Sequence, residues 1–174
     1  MKYYNLTEED FTSFFSLMEN SFPAAERRSK EDALRLFTCV KCYNVIGYKD
    51  EKGVAAFLAY WHFEECYFVD HLAVDPRLRG NGIGSDLMKY FLEQINGTVV
   101  LEVEPPEDDI TRKRIRFYER LGFHLNHFPY LQPSMQEGQP PVPLLIMSYP
   151  EPVSETGFKN MRDRIFRNCY KVNT

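Results

Sequence analysis

The chain has no surplus of positive charge, no long apolar run and no cluster of thiols or imidazoles. Its 21 Lys and Arg face 25 Asp and Glu, and the net charge of -4 gives no electrostatic case for nucleic acid or an acidic membrane as partner. No run is apolar over the length that crosses a bilayer. The opening Met1–Lys2–Tyr3–Tyr4–Asn5 lacks the apolar segment of a signal peptide, so the expectation is a cytoplasmic protein. The four cysteines are Cys39, Cys42, Cys66 and Cys169. Cys39–Val40–Lys41–Cys42 is a lone C-x-x-C with no second pair of ligands near it, and it closes a helical pattern where a redox motif would open one. Reduced thiols are the plainer reading. His124 and His127 are too isolated to argue for a metal, so none is expected.

Hydrophobic residues make up 44% and aromatics 15% of the 174 residues, enough for a globular chain with a real core, and one domain is expected over 1–174. The pattern reads as a short strand over 2–6, then a helix that Thr7 caps and that buries Phe11, Phe14, Phe15 and Met18. Ser29 caps a second helix. Arg27 and Arg28, in the joint between the two, read as solvated surface charge. Strands over 43–48, 54–62 and 66–74 form an antiparallel meander. A helix over 83–95 and a strand over 98–104 follow, so the last meander strand, helix and next strand make a right-handed βαβ unit. A helix from Thr111, a strand over 124–130, a proline-rich loop over 131–143 and a strand over 144–149 come next. Ser154 caps a final helix, with Phe158, Met161, Ile165 and Cys169 on one face; packing on its own core is expected.

Glycine is sparse, 9 residues in all, yet Gly80, Gly82 and Gly84 fall at alternate positions in the turn that opens the helix from Ile83. The first N–H groups of a helix lack internal partners and sit at the positive end of its dipole, so such a turn suits a phosphate or pyrophosphate. A nucleoside-triphosphate loop would need lysine after its last glycine, and Gly84 is followed by Ser85–Asp86. A dinucleotide fingerprint matches at Gly80 and Gly82, with Ser85 in place of the third glycine and Glu102 about 20 residues on where a ribose would be held. Against it, residues 75–78 put too much chain between strand and glycines.

Arg79-x-x-Gly82-x-Gly84, preceded by Leu72–Ala73–Val74–Asp75–Pro76, resembles the acetyl-CoA signature of the GNAT superfamily of N-acetyltransferases. Phe117–Tyr118–Glu119–Arg120–Leu121–Gly122–Phe123 resembles that family's later motif, and the element order matches through Tyr149. The resemblance implies a mixed α/β fold: a sheet of six to seven strands, an antiparallel N-terminal meander, a central βαβ unit with splayed parallel strands, and helices on both faces. Residues 1–149 form that core, and 150–174 add a C-terminal helix which the resemblance does not cover. It implies that Arg79, Gly80, Asn81, Gly82, Ile83, Gly84 and Ser85 wrap the pyrophosphate of acetyl-CoA. Leu72, Ala73 and Val74 would offer backbone to the pantetheine arm. Tyr118 would protonate the leaving thiolate. Thr111 stands where the family often has an asparagine that touches CoA, and Arg114 where a small residue is common.

Amine acylation needs a proton acceptor, because an amine of pKa ~10 is mostly charged at neutral pH. Glu102 and Glu104 alternate with Val103 and so share a strand face. Leu101–Glu102–Val103 is similar to a segment that carries a proposed base in bacterial acetyltransferases acting on protein N-termini. The competing role for Glu102 is an ion pair with Arg114 or Arg116. Asp70 is the rival base, with the same parity as Leu72 and Val74, whereas His71 points the other way into core or surface. The acceptor, a small-molecule or peptide amine, would enter between residues 22–29 and 130–143. The acidic run Glu107, Asp108, Asp109 could attract a cation but reads first as solvated loop. The chain would act as a monomer or homodimer. A non-catalytic CoA-binding sensor and a nicotinamide-dependent oxidoreductase remain the rival readings.

Overall fold

Local capping signals start the first helices in the computed structural model, which describes residues 1–64, 66–136 and 138–172. Thr7 and Asp10 cap each other around a single tight turn, and α1 (Phe11–Ser21) continues from it. Ser29 accepts from the Asp32 amide at 3.1 Å and opens α2 (Lys30–Cys39). Before them lies β1 (Tyr4–Asn5), shorter than the strand expected over 2–6. The meander is β2 (Tyr43–Asp50), β3 (Gly53–His62) and β4 (Cys66–Val74). Then come α3 (Ile83–Gln94), β5 (Thr98–Val103), α4 (Asp109–Glu119), β6 (His124–Gln132), β7 (Val142–Tyr149) and α5 (Glu155–Ile165). A π-helical turn over Phe166–Tyr170 extends α5.

The strands form one seven-stranded mixed sheet in the order β1-β2-β3-β4-β5-β7-β6. Only β4 and β5 run parallel, as the βαβ unit requires. The sheet has a core on each face. One side packs Phe14, Phe57, Trp61 and Phe68 with α1, α2 and α5; the other packs Leu58, Leu87, Met88 and Met147 with α3 and α4. The final helix therefore packs on its own chain, with Phe158 stacked on Phe128 at 4.7 Å.

Two irregularities place the site. Ala59 pairs with His71 but Tyr60 pairs with Val69, so Asp70 is an extra residue in β4, a β-bulge. The bulge breaks the expected alternation. Asp70 and His71 both face the α1 side, where His71 meets Phe22 at 4.6 Å, while Leu72 and Val74 pack on the α3 side. The second irregularity is in β6, where three residues, 127–129, lie between Asn126 and Tyr130 opposite one residue of β7. Pro129 has no N–H to give to that stretch of ladder. Beyond it Gln132 pairs with Val142, so ladder pairing claims both ends of the loop expected over 131–143.

Phe14 is fully buried, with its ring 4.7 Å from Phe57 and 5.2 Å from Phe37. Phe14→Ala is expected to cost about 3–5 kcal/mol of stability in urea unfolding, the usual range for a truncated core aromatic.

Candidate active site

The parallel pair ends early. β4 and β5 are in register from Cys66↔Thr98 to Val69↔Leu101, and no further. β5 then stays with β7, and β4 stays with β3. The edges that part leave a cleft of about 640 Å³. Its floor is β4 from Val69 to Val74 and β5 from Leu101; its ends are the glycine turn and the joint between α1 and α2.

Gly80 and Gly82 sit at φ 82° and 80°, a left-handed backbone that glycine adopts without strain. That is the physical demand on these two positions, since a Cβ on either would meet nothing within 4 Å. Gly82 is the N-cap of α3, and no side chain caps the helix, so its first amides face the cleft end as donors. Arg79 Nε donates to the Val74 carbonyl at 3.1 Å and ties the turn to the strand end. Asn81 donates to the Leu78 carbonyl and braces the turn from outside the cleft lining. Thr111 also lies outside the lining: its hydroxyl and the Asp108 carboxylate close the capping box of α4. The acidic run is likewise used locally, with Asp109 paired to Arg112 at 3.0 Å.

Tyr118 reaches the cleft from α4. Burial pushes its hydroxyl up to about 12, against the lowering effect of Arg114. It is therefore a neutral phenol at physiological pH, and it takes no hydrogen-bond partner among the described residues.

Glu102 and Asp70 meet opposite fates. Burial lifts Glu102 to about 7, and Asp70 adds to the rise, while donors oppose it. Those donors are the Tyr130 hydroxyl, the Tyr170 hydroxyl at 2.8 Å and Gln132 Nε2 at 2.9 Å. The ion pair expected of Glu102 belongs instead to Glu104, which lies past the end of β5 and pairs with Arg114. Glu104 thus leaves the face it would share with Glu102 had the strand continued. Asp70 is buried, but Arg28, His71 and Trp61 outweigh the burial and hold it below the usual carboxylate range. Arg28 Nη1 bonds it at 2.7 Å and Trp61 Nε1 at 3.1 Å. Its side chain is 0% exposed, although Asp70 belongs to the strand that lines the cleft. Arg28, read from the sequence as surface charge, is a buried counterion, and its Nη2 also donates to the Cys169 carbonyl at 3.1 Å. His71 Nε2 donates to the Glu26 carbonyl at 2.8 Å.

The two segments expected to form an acceptor mouth both contribute to the cleft lining. Phe22 and Glu26 from the α1–α2 joint face Met135 and Leu144 across the cleft. Gln136 straps the two sides, donating to the carbonyls of Ala24 at 2.9 Å and Arg27 at 2.7 Å. Sequence reasoning missed Arg28, Gln132 and Tyr170 as parts of the site. Only Gln132 left a signal, since it shares a strand face with Tyr130. Cys39, Cys42 and Cys169 are free thiols. Among the described residues no group of His, Cys, Asp and Glu is disposed to hold a metal ion, and no helix is long and apolar enough to cross a membrane.

Comparisons with known proteins fit this geometry. A family described as the acetyltransferase (GNAT) domain matches residues 41–125. YjbC of Bacillus subtilis (strain 168), described as a candidate acetyltransferase, is 34% identical over 126 residues. That match takes in 71% of this chain, which spans 63% of the length of YjbC. A solved structure from Bacteroides thetaiotaomicron, described as a candidate acetyltransferase of the GNAT family, is 28% identical with a TM-score of 0.90, over 99% of this chain and 100% of that one. The ribosomal-protein-S18-alanine N-acetyltransferase of Escherichia coli shares the fold at 19% identity and TM-score 0.64, over 88% of this chain and 96% of that one.

The raised Glu102 has a consequence for stability. Between its ordinary 4.5 and its folded value of about 7, the folded chain holds a proton that the unfolded chain has lost, so stability falls as pH rises through that window. Asp70 does not overlap, because its contribution is lost only on acidification below 3.8. Urea unfolding at pH 5 and pH 8 is expected to show Glu102→Gln removing a pH-dependent loss that the unaltered chain shows.

Proposed function

Because the chain belongs to the GNAT superfamily of acetyltransferases, we propose that it moves an acetyl group from acetyl-CoA to a primary amine of a small molecule or protein. Transfer is direct, within a ternary complex and without a covalent enzyme intermediate. One observation carries the reading: Glu102 and Tyr118 line the same cleft where β4 and β5 part, one an acceptor of protons and the other a donor. The uncapped N-terminus of α3 and the left-handed glycines before it suit the pyrophosphate. The unpaired edge of β4 at Leu72, Ala73 and Val74 suits the amide groups of the pantetheine arm. Acetyl-CoA supplies an activated thioester carbonyl.

Glu102, near 7, is a weaker base than the amine it serves, near 10. The small neutral fraction of the amine attacks, and Glu102 takes its proton as the N–C bond forms and the nitrogen becomes acidic. Backbone N–H groups on the free edge of β4 are placed to meet the developing oxyanion. Tyr118, at about 12, is a weaker acid than a thiol near 8.5, so it serves the departing sulfur first as a hydrogen-bond donor. The sulfur departs as a thiolate held by that hydrogen bond and takes its proton from water, and Tyr118 stays a neutral phenol. Asp70 and Arg28 stay out of the chemistry and hold the bulge of β4 in place.

The test is CoA release from acetyl-CoA across a panel of amines. Tyr118→Phe is expected to lower kcat about 100-fold, the low end of the range for a lost acid–base contribution. Glu102→Gln is expected to lower kcat/KM and to abolish its acidic limb near pH 7. Thermal stabilisation by NAD(H) with none by CoA or acetyl-CoA would sink the proposal.

A further inference from the structure

Glu102 accepts from three donors. Tyr130 from β6, Gln132 from the same strand and Tyr170 from the turn after α5 all point a hydrogen at its carboxylate. A protonated carboxyl would need an acceptor in place of one of these, from a tyrosine oxygen or from Gln132 Oε1, which is buried without a partner and would have to turn toward it. The cage therefore suits the charged form. Its members differ in origin. Tyr130 and Gln132 stand on a strand beside the cleft, whereas Tyr170 comes from a segment that begins after the acetyltransferase core and lies outside the stretch matched by the family.

Tyr170 is held in place from both sides. Gln132 Nε2 donates to its hydroxyl at 2.9 Å, so the phenol's own hydrogen is left for Glu102. Arg28 Nη2 grips the preceding carbonyl of Cys169. Arg28 is also the counterion of Asp70, so one guanidinium links the β4 bulge to the C-terminal turn. The other titratable and charged groups around Glu102 are Asp70 with its partner Arg28 and the buried Cys169 thiol.

We propose that Tyr170 is a positioning residue that orients the Glu102 carboxylate toward the cleft and favours its anionic form, so that the segment after α5 completes the base. The inference rests on Glu102 acting as the base, and its test separates the two. Tyr170→Phe keeps the ring, which packs on Phe166 at 6.1 Å, and removes only the oxygen. Losing one donor to the charged form is expected to move the acidic limb of kcat/KM upward by about one pH unit, from about 7. Activity then falls about fivefold at pH 7 and recovers by about pH 9. A loss that is equal at every pH overturns the proposal.

A readout without turnover comes from protein labelled at the glutamate carboxyl carbons, with the Glu102 signal identified by its absence in Glu102→Gln. Its carbon-13 titration midpoint is expected to rise in Tyr170→Phe. Gln132→Met, which removes another donor and the amide that orients the phenol, is expected to move it the same way. A midpoint that stays put in both variants overturns the proposal. If Glu102→Gln keeps the acidic limb, the base assignment fails, and the carbon-13 titration still decides whether Tyr170 governs this carboxylate.

Discussion

The parting of β4 from β5 after Val69 and Leu101 is the constraint on which the rest of the site depends. A parallel pair gains ladder hydrogen bonds for each residue in register, so two strands this well buried do not separate without a reason. Here the bulge at Asp70 supplies it. The extra residue turns β4 away from β5 while its ladder to β3 continues. β5 keeps its other ladder through Val103 by pairing with β7. Each strand stays anchored on its outer side, and the inner edges become free to bind. The floor of the cleft is thus built from the freed edges of two strands.

Two buried carboxylates stand on either side of that parting, and the difference between them is the chemistry. Asp70 has a guanidinium at 2.7 Å and an indole donor, and its side chain is fully buried. Such a pair is best read as a structural clamp, because removing either member would leave a buried charge alone. Glu102 has only neutral donors, which ease its burial without cancelling it. A carboxylate solvated by hydroxyls and an amide can change charge near neutral pH; one locked to arginine cannot. Tyr118, a buried neutral phenol, lines the same cleft.

The C-terminal segment changes meaning in this light. Its helix reads from sequence as an addition to a finished core, and its packing against Phe128 and Tyr130 agrees with that. Yet its last turn reaches the carboxylate at the heart of the cleft. The link runs through Arg28, which touches Asp70 on one side and the Cys169 carbonyl on the other. The C-terminal turn thus meets Glu102 inside the fold rather than at the surface.

Elements, their order and the glycine turn were legible in the sequence because each depends on neighbours close along the chain. Caps at Thr7, Ser29 and Ser154, the stripe of α1, the strand alternation and the left-handed glycines are local physics. So was Tyr118, through its motif. What sequence left open between Asp70 and Glu102 was decided by tertiary contacts. Parity misplaced Asp70 because a bulge is a property of two strands in register, which one strand does not reveal. Arg28 looked like surface charge because its partner is 42 residues away, and Tyr170 went unseen because it meets Glu102 across 68 residues. Local pattern determined that a glycine turn opens a helix on a mixed sheet. Only the folded chain decided which carboxylate is clamped by arginine and which is held by neutral donors, since burial and long-range partners set that difference.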